Sequence, residues 1–236
     1  MPTALVTGAT SGIGRAAALK LAESGFHVLV HGRDAERGAA VVDQIKGAGG
    51  EAEFFGADLS DIAEINRLAQ AAGRVEVLVN NAGFSWFGPT AELEPDTFDA
   101  LFDANVRSAY YLTAAIAPQM AERGRGVIIN LGSMAGQIGL AGGAAYSATK
   151  AALASLTRSW AAEYSPRGVR INTIAPGPAY TGGSSRESLT ALGKTTLLAR
   201  TAEAEEIGEV IAFLASPAAG YITGAVIPVD GGRTAV

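Results

Sequence analysis

A tyrosine and a lysine lie four residues apart in the segment AAYSATKAAL, at Tyr146 and Lys150. Residues at positions i and i+4 share one face of a helix, so the phenol and the ammonium can point into the same space. A phenol can give a proton to an alkoxide, or take one from an alcohol, if its pKa of ~10 moves toward neutrality. An ammonium about 4.5 Å away, at an effective dielectric near 20, supplies roughly 3.7 kcal/mol toward that shift. We therefore expect Lys150 to lower the pKa of Tyr146.

Ser133 ends the apolar run GVIINLGS and lies thirteen residues before the tyrosine. Its hydroxyl could hold a substrate oxygen by a hydrogen bond and stabilise charge as it develops. A Tyr-x-x-x-Lys pair also arises by chance on the surface of ordinary amphipathic helices. The neighbouring motifs must decide between these two interpretations.

The segment TGATSGIG, residues 7–14, carries glycines with the spacing Gly-x-x-x-Gly-x-Gly. Glycines allow a tight turn and a close approach of the main chain to a ligand, and a following helix N-terminus favours a pyrophosphate. A turn without any ligand is the competing explanation for this motif alone.

Short apolar runs alternate with segments of helical spacing, which predicts crossover units and a parallel sheet. Several runs are apolar at successive positions, as expected when both sheet faces are covered. We predict an α/β fold, with residues 1–236 forming a single doubly wound, Rossmann-type domain of about seven strands with helices on both faces. The predicted strands are 4–8, 27–31, 52–56, 75–80, 126–133, 169–176 and 225–232, and the predicted helices are 13–24, 34–47, 61–72, 96–123, 144–165 and 202–215.

Ligands of such sheets lie at the carboxyl ends of the strands. Gly8, Asp58, Asn80, Ser133 and Pro176 each end or follow a predicted strand. The pattern of elements and the candidate chemistry therefore agree.

Composition narrows the function classes. The net charge is −5 with no basic cluster, so we expect no nucleic acid partner. The chain has no cysteine, which excludes disulfides, and His27 and His31 are too few to build a metal site. The sequence MPTALVTGAT enters a strand at once, and no run approaches the ~18 apolar residues that a membrane span needs. We expect a soluble, cytoplasmic protein without a metal or a membrane partner.

Together, the Ser-Tyr-Lys spacing, the glycine-rich turn, Asn-Asn-Ala-Gly at 80–83 and the Pro-Gly turn at 176–177 resemble the short-chain dehydrogenase/reductase family. The resemblance covers essentially the whole chain and is strongest to the 3-oxoacyl-(acyl-carrier-protein) reductase branch. It implies that Ser133, Tyr146 and Lys150 are catalytic. It adds Asn105, in FDANVRSAYYL, as a fourth catalytic residue that helps to hold a water between the lysine and solvent. A satisfied polar group or a helix kink would also explain this asparagine.

The resemblance also implies the coenzyme contacts. Asp58 and Leu59 would flank the adenine; Asp58 could alternatively cap the helix that begins at Asp61, and both roles could hold together. Residues 81–83 would lie along the adenosine ribose, and Thr181 would bond the nicotinamide carboxamide. The full set of expected coenzyme-binding residues is Gly8, Thr10, Ser11, Gly12, Ile13, Gly14, Arg33, Asp58, Leu59, Asn81, Ala82, Gly83, Tyr146, Lys150, Pro176, Gly177 and Thr181.

The end of the second strand indicates the coenzyme. NAD-preferring family members usually carry Asp where this chain has Gly32, and a carboxylate there would repel a 2′-phosphate. Arg33 follows, and a guanidinium can pair with a phosphate bidentately. Asp34 complicates the charge balance but could simply cap the next helix. Family members often carry a second basic residue just before the glycine at position 12, where this chain has Ser11. We expect NADP(H) to be preferred over NAD(H).

Three segments should wall the substrate pocket, at 84–89, 137–143 and about 178–200. The first carries Phe84, Trp86 and Phe87, which suit an apolar or ring-shaped ligand or pack against a neighbouring loop or subunit. In the third, Gly182–Ser185 is a candidate lid. Arg186 and Lys194 are candidates for binding an anionic substrate, or are merely solvated.

The resemblance implies NADPH-dependent reduction of a ketone, a 3-oxoacyl or related carbonyl compound. One alternative is oxidation of a secondary alcohol, sugar or polyol by the same residues. A non-catalytic dinucleotide sensor is another, although such proteins typically lose the Tyr or Lys. The resemblance also implies a homotetramer or homodimer. A face of small residues could allow close helix approach between subunits or could face the sheet; it comprises Ala144, Ala148, Ala151, Ala152 and Ser155.

Overall fold

The computed structural model describes residues 1–183 and 185–235. Its strands are β1 (Thr3–Val6), β2 (His27–Gly32), β3 (Glu51–Gly56), β4 (Val77–Asn80), β5 (Gly126–Leu131), β6 (Val169–Pro176), β7 (Ala179–Tyr180), β8 (Ala202–Glu203) and β9 (Val226–Val229). Its α-helices are α1 (Gly12–Glu23), α2 (Ala35–Gly47), α3 (Ile62–Ala72), α4 (Pro95–Phe102), α5 (Ser108–Glu122), α6 (Ala144–Tyr164), α7 (Arg186–Gly193) and α8 (Ala204–Ala215).

Seven parallel strands form one sheet in the order β3-β2-β1-β4-β5-β6-β9. The strand order reverses between β1 and β4, which makes the crevice there the expected ligand site of a doubly wound fold. The predicted fold class is confirmed. Within the described ranges, no helix is both long and apolar enough to cross a membrane.

The sheet separates two apolar cores, which explains the continuous apolar runs in its strands. On β1, Ala4 and Val6 face the core that contains residues of α1, α2 and α8, whereas Leu5 faces the core of α3, α5 and α6. All three side chains are fully buried. Successive residues of a strand point to opposite faces, so a strand buried on both sides has no position that faces water.

One row of polar side chains crosses the buried sheet. Asn80, Asn130 and Thr173 are register partners on β4, β5 and β6. The Asn80 amide donates to Asn130 Oδ1 at 2.9 Å, and the Asn130 amide donates to Thr157 Oγ1 of α6 at 2.7 Å. The hydroxyls of Thr157 and Thr173 are 2.7 Å apart. This row fixes β5, the strand that leads to Ser133.

Two elements differ from the sequence prediction. The single helix predicted over 96–123 is divided by a π-helical turn, Asp103–Arg107, between α4 and α5. The segment predicted as a pocket loop at 178–200 contains β7, which pairs with β8, and α7. A π turn widens the helix by one residue, and such turns often occur at functional sites. Of the expected lid at 182–185, Ser184 lies outside the described residues.

Candidate active site

Ser133, Tyr146 and Lys150 meet at the carboxyl end of β5. Ser133 begins a short 3-10 turn in which its hydroxyl accepts a hydrogen bond from the Ala135 amide at 3.1 Å. Tyr146 and Lys150 lie on successive turns of α6, as the i, i+4 spacing predicts. The Ser133 hydroxyl lies near enough to the phenol to favour a lower pKa of Tyr146. The structure thus brings these three sequence-predicted side chains together.

Lys150 is a buried cation, with 6% of its surface exposed. Its Nζ donates to the Leu131 carbonyl oxygen at 2.8 Å and lies 5.6 Å from the centre of the Tyr146 ring. Burial lowers the pKa of Lys150 to about 8, because the ammonium loses its hydration. The Leu131 carbonyl positions this amine beside the tyrosine ring.

The expected effect of Lys150 on Tyr146 is wrong for the coenzyme-free protein. Burial raises the pKa of Tyr146, and the neighbouring Ser133 hydroxyl only partly opposes that shift. The phenolate would lose water on forming, and the lysine that was expected to stabilise it is itself desolvated. Burial therefore favours the protonated phenol of Tyr146, which can act as a proton donor.

Asn105 lies in the π-helical turn and is 1% exposed. Its Oδ1 accepts from the Phe84 amide at 2.9 Å, and its Nδ2 donates to the Phe84 carbonyl at 2.9 Å and to Thr149 Oγ1 at 3.0 Å. The Thr149 hydroxyl in turn donates to the Tyr146 carbonyl at 2.7 Å. Asn105 is thus a satisfied polar group that ties the Phe84 loop to α6, and its role toward water stays a prediction.

The glycine-rich turn leaves a run of main-chain donors free. Within the described part of the chain, the amides of residues 10–14 donate to no protein acceptor, and the first amide bond of α1 runs from Arg15 to Ser11 at 3.0 Å. Ser11 makes no side-chain cap. Gly8 and Gly12 have φ of +62° and +52°, and a Cβ on Gly14 would collide with the Gly8 carbonyl oxygen. This uncapped helix start fits a pyrophosphate.

Thr7 organises this turn, although the sequence analysis did not single it out. Its hydroxyl accepts from the amides of Asn81 and Ala82 at 2.9 and 3.0 Å. The Asn81 side chain donates to the carbonyls of Thr7 and Gly8 at 2.9 and 3.1 Å. The Asn81 amide group therefore holds the turn itself, so contact with an adenosine ribose would involve other atoms of residues 81–83. A hydroxyl directly before the first glycine was the available sequence signal.

Asp58 and Leu59 follow β3, at the same edge of the sheet. Asp58 is exposed and accepts from the amide and the hydroxyl of Ser60 at 3.0 and 2.9 Å, bonds that lower its pKa. Asp61 caps α3 through the Ala63 amide at 2.8 Å. The alternative role of Asp58 as that helix cap is therefore wrong. Leu59 is buried and packs in the core beneath the loop.

Arg33 projects from the end of β2 and is exposed. Its neighbour Asp34 caps α2 by accepting from the Arg37 amide at 3.0 Å, and its carboxylate pairs with the Arg37 guanidinium at 2.7 Å. The predicted capping role of Asp34 is confirmed, and its charge is engaged away from Arg33. A Cβ on Gly32 would collide with the Thr10 methyl group, so this position is closed to a carboxylate while Thr10 keeps its place.

The Pro-Gly turn follows β6. Pro176 is buried, and a Cβ on Gly177 would lie 2.7 Å from Asp230 Cα, so the turn rests on the segment after β9. Thr181 lies beside the glycine-rich turn, since a Cβ on Gly12 would be 3.0 Å from Thr181 Cβ. These residues close the far side of the crevice.

The two uncharged wall segments meet above the tyrosine. The Gly88 amide donates to the Gly142 carbonyl at 3.0 Å. The ring of Phe87 lies 5.6 Å from that of Tyr146, tilted by 57°, and Phe84 and Phe87 are both exposed. Residues 84–89 and 137–143 include no ionisable side chain. In the third segment, the Arg186 guanidinium stacks 4.1 Å from the centre of the Tyr180 ring.

A cavity of about 540 Å³ lies beside the first turns of α6. None of the four predicted catalytic side chains lines it. Trp86, from the first predicted wall segment, lines this cavity. The lining residues are Trp86, Thr90, Leu93, Pro95, Phe98, Asp99, Ala144, Ala145 and Ala148.

The fold and this site are those of an NAD(P)-dependent oxidoreductase acting on carbonyl or hydroxyl groups. Residues 2–190 match the family model described as short chain dehydrogenase. The chain is 37% identical to the 3-oxoacyl-(acyl-carrier-protein) reductase FabG of Staphylococcus aureus over 98% of this chain and 97% of that protein. It belongs to the short-chain dehydrogenase/reductase family.

Solved structures agree with this assignment. A short chain dehydrogenase/reductase family protein is 46% identical, with a TM-score of 0.92 over 100% of this chain and 98% of that one. A gluconate 5-dehydrogenase from Burkholderia cenocepacia, in complex with NADP and tartrate, is 30% identical, with a TM-score of 0.93 over 100% and 96%.

Proposed function

We propose that this protein is an NADPH-dependent reductase that converts the ketone of a 3-oxoacyl or related carbonyl compound into a secondary alcohol. The observation that carries the proposal is the meeting of Ser133, Tyr146 and Lys150 at the carboxyl end of β5, with the Lys150 ammonium 5.6 Å from the centre of the Tyr146 ring. The resemblance to 3-oxoacyl reductases supports the substrate class.

The end of β2 supports NADPH as the coenzyme. Arg33 has no ion pair or hydrogen bond with the described residues, whereas the adjacent carboxylate of Asp34 is paired with Arg37. A free guanidinium beside a neutralised carboxylate suits a ribose 2′-phosphate. The solved relative that contains NADP is consistent with this preference.

Each catalytic side chain has a distinct task in the proposed reduction. A nicotinamide coenzyme bound at this site would supply the hydride. Ser133 donates a hydrogen bond to the substrate oxygen, and Tyr146 gives that oxygen its proton as the alcohol forms. Lys150, held by the Leu131 carbonyl, keeps a polar group beside the phenol and offers a donor to the coenzyme ribose.

The pocket walls favour an uncharged substrate portion near the carbonyl. A substrate carboxylate beside Tyr146 would find no basic group in residues 84–89 or 137–143, and the Lys150 ammonium is already bonded to the Leu131 carbonyl. Arg186, the first cation along the third wall segment, stacks on Tyr180 and lies 3.8 Å from Glu203.

The test is NADPH oxidation with acetoacetyl-CoA by wild type, Tyr146→Phe and Tyr221→Phe. Tyr221 is fully exposed, so its variant is the matched control. We expect turnover in wild type and in Tyr221→Phe, and a loss of about 10³-fold in kcat for Tyr146→Phe with NADPH still bound. Turnover that survives Tyr146→Phe unchanged would reject the mechanism.

The second candidate function is oxidation of a hydroxy acid, sugar or polyol. The similarity to the gluconate 5-dehydrogenase solved with NADP and tartrate supports it. The same proteins assayed with NADP⁺ and gluconate separate the two. Oxidation of gluconate without reduction of acetoacetyl-CoA would replace the ketone substrate and leave the role of Tyr146 in place.

We also propose that the chain forms a homotetramer through α5 and α6. The small-residue face of α6 points outward: Ala144, Ala148, Ala151 and Ser155 are exposed and Ala152 is half-buried. Tyr110 and Tyr111 are exposed on the neighbouring α5. An exposed face of small and aromatic residues suits close packing against a second copy.

A further inference from the structure

His31 is a buried histidine at the end of β2, with 3% of its surface exposed. It lies between two loops to which the proposed function gives coenzyme contacts. Its Nδ1 is 3.3 Å from the Gly8 amide in the glycine-rich turn, and its Nε2 is 3.1 Å from the carbonyl of Ala57, the residue before Asp58. Its carbonyl also accepts from the Ala9 amide at 2.8 Å.

One protonation state alone satisfies both side-chain contacts. The Gly8 amide can only donate and the Ala57 carbonyl can only accept, so Nδ1 must carry the lone pair and Nε2 the proton. A protonated imidazole would have no acceptor for Gly8. Burial lowers the pKa of His31, in agreement with a neutral ring.

The imidazole of His31 thus accepts from the Gly8 amide, and the main-chain carbonyl of His31 accepts from the next amide, that of Ala9. The free amides begin immediately afterwards, at residue 10. His31 therefore marks the boundary between the amides that bond within the protein, at Gly8 and Ala9, and the amides from residue 10 onward that are available to a ligand. The same ring fixes the distance from that turn to the loop of Asp58.

We infer that His31 is a positioning residue for coenzyme binding: its neutral imidazole clamps the glycine-rich turn to the loop after β3. This inference rests on the proposed use of a dinucleotide coenzyme. The acceptor at the Nδ1 position is the essential half, because it holds the turn that would receive the pyrophosphate.

The test compares His31→Leu, which removes both contacts, with His31→Asn, whose side-chain oxygen can replace Nδ1 as acceptor for Gly8. His27→Asn is the matched control, because His27 lies at the opposite end of the same strand and faces Glu53 at 3.5 Å. NADPH affinity is measured by coenzyme fluorescence, with the melting temperature confirming that each variant is folded.

For His31→Leu we expect a Kd for NADPH about tenfold above wild type, with kcat at saturating NADPH within about twofold, because only the turn is displaced. His31→Asn should return the Kd to within about threefold of wild type, and His27→Asn should equal wild type. A purely structural role would instead make His31→Asn as weak as His31→Leu, or change kcat and Kd together, and would overturn the inference.

Nitrogen NMR of the coenzyme-free protein gives an independent readout, since the chain has only two histidines. We expect an Nε2–H tautomer for His31, and an Nδ1–H tautomer would overturn the clamp. Wild type that binds neither NADPH nor NADH would reject the proposed function itself. Wild type that binds NADPH with the same Kd as a folded His31→Leu would reject only this inference.

Discussion

At the scale of single residues, the site contains a buried ammonium, that of Lys150, whose loss of hydration is unfavourable. Lys150 is buried with a carbonyl oxygen as its hydrogen-bond partner, and its pKa falls to about 8 from an ordinary value of 10.5. A difference of this size between folded and unfolded chains corresponds to about 3 kcal/mol of stability lost at neutral pH. The lysine is therefore retained at a cost to the fold, as expected of a functional group.

Lys150→Met should stabilise the coenzyme-free protein while abolishing turnover. After allowing for the lost bond to Leu131, we expect a gain of about 2 kcal/mol at pH 7, or roughly 5 °C in melting temperature. The ammonium penalty is complete below pH 8 and fades between 8 and 10.5, so the advantage of the variant should shrink as the pH rises. Thermal unfolding at pH 7 and 9.5 measures this.

Lys194→Met is the matched control, because that lysine is exposed. It should melt like wild type at both pH values. A Lys150→Met protein that melts below wild type at pH 7 would contradict the assigned penalty.

Arg33→Asp should move the coenzyme preference toward NADH. The change replaces a free guanidinium with a carboxylate that repels a 2′-phosphate, so we expect the NADPH/NADH ratio of kcat/KM to fall by at least about 100-fold. Arg125→Asp makes the same charge change at an exposed position at the amino end of β5, the opposite edge of the sheet, and should leave the ratio unaltered. An unchanged ratio in Arg33→Asp would remove this residue from phosphate recognition.

At the scale of elements, the sequence predicts the sheet and the loops that meet at its carboxyl edge. Apolar runs flanked by helical spacing placed Ser133 and Tyr146 correctly, because both rest on local periodicity. The π-helical turn around Asn105 escaped detection, since one extra residue in a turn barely disturbs a 3.6-residue pattern. Within this turn, the Asn105 side chain binds the main chain of Phe84, a partner 21 residues away.

Other features depend on partners far along the chain. Thr7 and Val79, which share a hydrogen bond, are 72 positions apart. The raised pKa of Tyr146 arises from packing by distant segments such as that of Phe87. The sequence shows a lysine four residues after Tyr146 but not the loss of water around either side chain. That loss decides the direction in which the pKa of Tyr146 shifts. The single-domain boundary at 1–236 stays a prediction.

The start of α1 gives an element-scale prediction. Gly14→Ala places a methyl group against the Gly8 carbonyl and the Asn81 amide, so we expect about 2 kcal/mol or more of destabilisation and a Kd for NADPH at least about tenfold higher. Gly47→Ala is the matched control at the end of α2, where a Cβ meets open space. It should be neutral or stabilising by up to about 1 kcal/mol. Urea unfolding and coenzyme titration test both variants, and equal behaviour of the two would contradict this account of the turn.

At the scale of the whole molecule, the outward face of α6 predicts association. Ala148→Arg would place a long cation in the proposed contact, so light scattering at micromolar concentration should show a tetramer for wild type and a smaller species for the variant. Ala40→Arg on the exposed side of α2 should leave the mass unchanged. A monomeric wild type would rule the assembly out.

The polar row across β4, β5 and β6 has a consequence for how the chain reaches its native state. Parallel strands of similar apolar runs could align in several offsets, and a shift of one residue would exchange the two faces. Asn80, Asn130 and Thr173 form their bonds in one alignment only, and each buried amide left alone would cost about 1–3 kcal/mol. These side chains therefore favour the native strand alignment over its offsets.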